Sequence, residues 1–156
     1  MQKITPCLWF DNHAEQAVDF YLSVFNDSRI ISQMYYGEVG PGPDGSVLSI
    51  DFQLEGQDFI ALNGGPYFEF NPAISLFVNC ETQDEIDRLW AALLTGGGKT
   101  QQCGWVQDQF GVSWQIVPTV LGEMLRDSDK ARSQRVMAVL LQMNKLDIAA
   151  LKQAYG

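Results

Sequence analysis

Apolar and polar positions repeat along this chain at an offset of 70 residues: Ile4 falls on Ile74, Leu8 on Val78, Asn12 on Thr82, Glu15 on Glu85, Phe20 on Trp90 and Val24 on Leu94. Each copy runs apolar strand, polar capping residue, amphipathic helix, so the repeat predicts two similar supersecondary units. Asn12 and Thr82 each stand three residues before a glutamate, the spacing at which a side chain accepts from an orphan helix N–H and the glutamate reaches back. Apolar residues then recur at helical spacing: Ala14, Ala17, Val18, Tyr21, Leu22 and Phe25 in the first copy, and Ile86, Leu89, Trp90, Leu93 and Leu94 in the second. The first helix is expected to end near Asn26-Asp27-Ser28, the second at Gly96-Gly97-Gly98.

Beyond each helix the period changes to two. Residues 29–36 are rich in strand formers, 37–45 read as a loop with Pro41 and Pro43, and 46–54 alternate polar with apolar. Gly56-Gln57 turns the chain into 58–62, which stops at Asn63-Gly64-Gly65-Pro66. The second copy is shorter: a strand starts near Thr100 and runs to Trp105, the turn is Asp108-Gln109-Phe110-Gly111, and Val112 to Val117 returns. The expected fold is α+β, with two tandem βαβββ modules at 1–65 and 72–119 in a single domain, 66–73 as the hinge, and sheets facing across a cleft. From Ser128 the chain loses strand character, and 128–156 reads as a helical tail. Val136, Val139, Leu140 and Met143 form a stripe that Met137 and Leu141 widen, and Asp147 caps a last helix bearing Ile148, Leu151 and Tyr155. Packing on its own sheet and crossing to a second subunit both remain open for this tail.

Composition narrows the classes. A chain of 156 residues can bury roughly 70% of its unfolded surface, enough for one core. Apolar content of 46% excludes general disorder, and no apolar run nears the ~20 residues of a membrane helix. A net charge of −9 argues against nucleic acid and anionic membranes as partners. Cys7, Cys80 and Cys103 are odd in number and lack CxxC spacing, which suits reduced thiols in a cytoplasm. With Met1-Gln2-Lys3 leading straight into a strand and no basic, apolar stretch before it, export is not expected.

The motifs also carry a resemblance. Ala17-Val18-Asp19-Phe20-Tyr21, Asn63-Gly64-Gly65-Pro66, Ile74-Ser75-Leu76-Phe77-Val78, the long run from Cys103 through Trp105 and Trp114 to Pro118, and the ending from Met143 to Leu151 resemble the PhnB-like family, labelled 3-demethylubiquinone-9 3-methyltransferase-like. That family lies within the vicinal oxygen chelate (glyoxalase/bleomycin resistance/dioxygenase) superfamily. The resemblance spans the chain and implies paired βαβββ modules with curved mixed sheets around a cleft, in a homodimer.

It also implies places for a divalent metal, on the first and last strands of each module. Here those places read as Pro6, Ala73, the 59–62 strand and Gln115. None offers a carboxylate or imidazole, whereas a divalent ion wants several N, O or S donors. His13, the one histidine, stands at a helix start, where solvation is the ordinary state. The expectation is no metal and no cofactor. Nor does a glycine-rich turn open a helix after a strand: Gly37, Gly40 and Gly42 sit in a proline-bearing loop, and Gly96-Gly97-Gly98 ends a helix. Catalytic candidates are Asp51, on a strand face with Ser49 and Gln53, and Cys103, which has no visible base partner. Polar groups expected to converge among apolar walls are Asn63, Ser75 and Gln115, with Trp9, Phe77 and Trp105 around them. The expected function is metal-independent binding of a small, mostly apolar molecule. An enzyme acting on a quinone-like substrate and a dimeric module that works through its tail are the alternatives.

Overall fold

The structure, a computed structural model, describes residues 2–156, and the chain divides into two compact units, Met1–Phe70 and Asn71–Gly156. The first unit runs β1 (Cys7–Phe10), α1 (Ala14–Val24), β2 (Ser28–Tyr35), β3 (Val47–Leu54) and β4 (Gln57–Asn63). Its sheet has the order β1-β4-β3-β2, with β1 parallel to β4 and the other pairs antiparallel. Alternation sends Ile50, Phe52 and Leu54 of β3, with Phe59 and Ala61 of β4, to the side that α1 covers. There they bury Ala17, Val18, Tyr21 and Val24 of the helix, and the Tyr21, Phe52 and Phe59 rings form a stacked series. Each of the large aliphatic and aromatic side chains among them, once buried, contributes about 1.5–3 kcal/mol.

The start of α1 departs from expectation. Its N-cap is His13, which makes no side-chain cap bond, and Asn12 is in the left-handed region at φ 58°. The cap comes from Asn63, whose Oδ1 accepts from the Ala14 N–H at 2.9 Å. The Asn63 amide nitrogen donates to Glu15 at 2.6 Å and to the Val47 carbonyl at 3.0 Å. Register explains this, because Phe10 pairs with Asn63 and so the end of β4 lies where the helix begins. A tertiary neighbour has displaced the local cap.

The second unit repeats the topology with β5 (Ser75–Cys80), α2 (Gln83–Leu94), β6 (Lys99–Thr100), β7 (Trp105–Gln107) and β8 (Ser113–Pro118). Its sheet order, β5-β8-β7-β6, matches that of the first. Here the local cap forms, Thr82 accepting from the Glu85 N–H at 3.2 Å, but the Glu85 carboxylate reaches back to the Glu81 N–H at 2.8 Å, one residue before the cap instead of to the cap itself. The strand expected from Thr100 to Trp105 is interrupted. Cys103 and Gly104 have φ values of 60° and 84°, and a Cβ on Gly104 would lie 2.9 Å from the Ile116 carbonyl oxygen. Between β7 and β8, the Asp108 carboxylate is buried but well supplied with donors: Phe110 N–H at 2.8 Å, Val112 N–H at 3.1 Å and the Trp114 indole at 2.9 Å.

The tail begins earlier than expected, directly from β8, as α3 (Thr119–Leu125), α4 (Lys130–Leu140) and α5 (Ile148–Tyr155). It packs on its own chain: Val117 joins Leu121, Met124, Val136, Leu140, Leu146 and Leu151 in one buried cluster, with Cys103 against it. The Cys103 and Gly104 N–H groups donate to the Met143 and Asn144 carbonyls, each at 2.8 Å. Gln83, in the first turn of α2, donates to the Leu146 carbonyl and accepts from the Ile148 N–H. The tail's far end is clasped by three contacts: the Tyr155 hydroxyl donates to Asp127, Arg132 stacks over the Tyr155 ring, and Arg135 caps the last α5 carbonyls.

Two outcomes are expected. Replacing Asn63 with alanine strands Ala14 N–H and the Val47 carbonyl, each worth about 1–3 kcal/mol when left unpaired. Chemical denaturation should therefore show a loss of about 2–4 kcal/mol, against about 1 kcal/mol for Thr82→Ala. An Asn63→Ala loss no greater than that of Thr82→Ala would remove Asn63 from this role. The Tyr155 hydroxyl bond, foremost, holds the Asp127 carboxyl below its ordinary range, and the same bond raises the Tyr155 phenol. A lowered carboxyl contributes stability that is lost as pH falls through its folded pKa, below about pH 4. A raised phenol contributes stability that is lost as pH rises past its ordinary value. Tyr155→Phe should flatten both limbs of a plot of melting temperature against pH, and unchanged limbs would show the clasp to be inert.

Candidate functional site

Each sheet has one helix-covered face and one that its helix leaves free, and period two decides which side chains the free face carries. On the second sheet, Phe77 of β5, Gln115 of β8 and Trp105 of β7 are cross-strand partners and stand in one row. The next row is Ser75, Ser113 and Gln107. The intervening residues Leu76, Trp114 and Val106 share the opposite face. Phe77 is 53% exposed, while Gln115 and Trp105 are half-buried. The Gln115 amide nitrogen donates to the Ser75 hydroxyl at 2.9 Å. The Ser113 hydroxyl is buried without a hydrogen-bond partner, in a residue only 1% exposed.

On the first sheet the free face carries Cys7, Ile60, Asp51 and Ser32 in one row, and Trp9, Leu62, Ser49 and Met34 in the next. The Asp51 carboxylate accepts from the Ser32 hydroxyl at 2.8 Å. Trp9 lies against Gly64, where any Cβ would fall 2.3 Å from its ring. Its indole N–H donates to the Gly65 carbonyl at 2.9 Å, and Phe68 meets it edge-on at 5.0 Å. The Ser49 hydroxyl, like that of Ser113, is buried and unpartnered.

Of the residues read from the sequence, Ser75, Phe77, Trp105 and Gln115 therefore come together on one face of the second unit. Trp9 and Asp51 belong to the free face of the first. Asn63 is on the other side of that sheet, its amide committed to α1 and β3. Cys103 sits in the turn before β7 with its thiol 3.7 Å from the Leu140 carbonyl. Ser49 stands on the face of Asp51 as the sequence implies, whereas Ser113 escapes the sequence reading; stepping two residues back from Gln115 along its strand finds it.

The titratable groups do not assemble an acid–base pair on the second sheet's free face. Burial foremost, and then the Glu85 charge, pushes the Cys80 thiol up to about 12. Cys7 is exposed, yet desolvation of its thiol and then the Asp51 charge hold it above the usual thiol range. His13 is exposed at the start of α1. Pro6 and Ala73 both lie just outside the strands, the Pro6 carbonyl accepting from Ile60 N–H and the Ala73 N–H donating to Asn71. The strand positions that share the free faces are instead Cys7 with Ile60 and Phe77 with Gln115. Among the described residues no three His, Cys, Asp or Glu side chains gather where they could hold a metal ion. The second sheet's row offers apolar rings, a carboxamide and hydroxyls.

Among curated proteins none matches this chain. A family profile described as 3-demethylubiquinone-9 3-methyltransferase matches residues 2–117, ending one residue before the N-cap of α3. A PhnB protein from Bacillus cereus is 39% identical, aligns over 76% of this chain and 100% of its own, and superposes with a TM-score of 0.68. A protein from Pseudomonas aeruginosa shares the fold at 20% identity, over 76% of this chain and 98% of its own, with a TM-score of 0.62. The chain thus belongs to the 3-demethylubiquinone-9 3-methyltransferase family, the PhnB-like proteins.

Proposed function

We propose that this protein binds a small, mostly apolar molecule without a metal ion, on the face of its second sheet that α2 leaves uncovered. The observation that carries the reading is Phe77, a large ring 53% exposed, in register with Gln115 and Trp105. Apolar rings beside a few placed polar groups are the usual make-up of a ligand site. A thermal-shift screen with quinones, phosphonates and S-adenosylmethionine tests it. Flat apolar compounds should raise the melting temperature of the wild type and fail to raise that of Phe77→Ser. Stabilisation by S-adenosylmethionine alone would replace this reading with the transferase one.

The donor set supports metal independence. Nickel, zinc, manganese and EDTA should leave the melting temperature unchanged, and stoichiometric metal bound at sub-micromolar affinity would refute that. The thiols should also be dispensable: alkylation at neutral pH should spare Cys80, whose thiol is pushed up to about 12, and ligand binding should survive it.

We also propose a homodimer. With the tail packed on its own chain, Met137 and Leu141 remain exposed, and β2, an edge strand, exposes Ile30, Ile31, Met34 and Tyr35. An apolar edge of this kind calls for a cover. Sedimentation at micromolar concentration should give twice the 17.4 kDa chain mass; a monomer would overturn the proposal.

A further inference from the structure

We propose that the Phe77–Gln115–Trp105 row is a slot for a planar aromatic ring held edge-on to the sheet, whose inner edge carries adjacent hydrogen-bond donor and acceptor atoms, as in an aromatic lactam. The inference rests on the preceding reading of this face and adds the chemical class and orientation of its occupant.

Spacing is the first argument. Phe77 and Trp105 flank Gln115 on the two neighbouring strands, so their strands are about 10 Å apart. Side chains rise roughly perpendicular to a sheet. One flat ring between two others needs about 7–8 Å, from two carbon–carbon contacts of 3.5–4.0 Å. A modest lean of the two rings closes the slot on a single aromatic layer. A puckered aliphatic ring is too thick for the same contact on both sides, and a second layer does not fit.

Unmet hydrogen-bonding capacity is the second. Gln115 uses one N–H on Ser75, which leaves its carbonyl oxygen and second N–H at the floor of the slot. The Ser75 hydroxyl accepts that bond and keeps its own proton to give. Its cross-strand partner Ser113 has a buried hydroxyl with no partner. The half-used amide of half-buried Gln115 stands beside the orphaned, fully buried hydroxyl of Ser113, and unmet polar groups are costly when left dry. A ligand edge with both a donor and an acceptor answers the amide's two vacancies at once.

Fixity is the third. The Cys103–Gly104 turn just before Trp105 is bonded to the tail through Met143 and Asn144. Val117, two residues beyond Gln115 on the same strand, is buried in the tail's cluster. The tail therefore anchors the backbone on two sides of the row, and the slot is built before a ligand arrives.

Calorimetric titration of the full-length protein with four probes tests this: carbostyril, its N-methyl derivative, naphthalene and the saturated valerolactam. Carbostyril should bind best. N-methylcarbostyril, which lacks the donor, and naphthalene, which lacks both polar atoms, should bind about tenfold more weakly or worse, as expected for one or two neutral hydrogen bonds. Valerolactam, polar but not flat, should not bind measurably. Gln115→Leu, similar in volume, should abolish the preference for carbostyril over naphthalene while leaving naphthalene affinity intact, and Phe77→Ser should weaken both. Equal affinity for carbostyril and naphthalene, undiminished in Gln115→Leu, would overturn the slot's polar edge and leave the broader apolar-binding reading standing. Absence of binding by every aromatic probe would overturn both.

Discussion

Burial of one face of each sheet beneath a single helix is the interaction on which everything else here depends. In the first unit α1 and the rings of Tyr21, Phe52 and Phe59 make that interface. In the second, α2 supplies Ile86, Leu89, Trp90 and Leu93. One helix can cover one face, and no other element of the repeat is available to cover the second. A free face is thus a by-product of the βαβββ plan, present before any ligand chemistry is written onto it. What distinguishes the units is what stands there: Cys7, Ile60 and Asp51 in one, Phe77, Gln115 and Trp105 in the other.

Much of this was legible because it is local. The apolar stripes of both helices, the Thr82 cap, the Asp108 turn and the Asp147 cap rest on residues within a few positions of one another. The Asn12 cap failed for the converse reason: Asn63, remote in sequence, reaches Ala14 only because β1 and β4 are parallel neighbours, and a local motif cannot foresee such a competitor. Cys103 reads as a strand residue until Gly104 is seen to have no room for a Cβ. The third helix followed Pro118 too closely to be separated from β8 by pattern alone.

The candidate site was legible to a similar depth. Period two places Gln115, Phe77 and Trp105 correctly on a shared face once the register is known, but register is a tertiary fact. Asn63 looked like a cleft residue because polar groups at strand ends often are. It proved to point at the helix, where its amide serves the backbone. That the Ser49 and Ser113 hydroxyls are buried without partners is silent in sequence, since a serine's hydrogen-bond partner cannot be read from its neighbours.

The alternation that separates the two faces has a consequence for how such a protein can change. Residues that hold the fold and residues that meet solvent on the free face occupy different positions on the same strands. A substitution at Gln115 or Phe77 leaves the Trp114 and Ile116 packing untouched. The free face is thereby released from the selection that preserves the core, so ligand preference can drift, or be rewritten in the laboratory, on a scaffold that stays constant. A duplicated unit doubles that latitude, because two equivalent surfaces can diverge independently while obeying one folding rule.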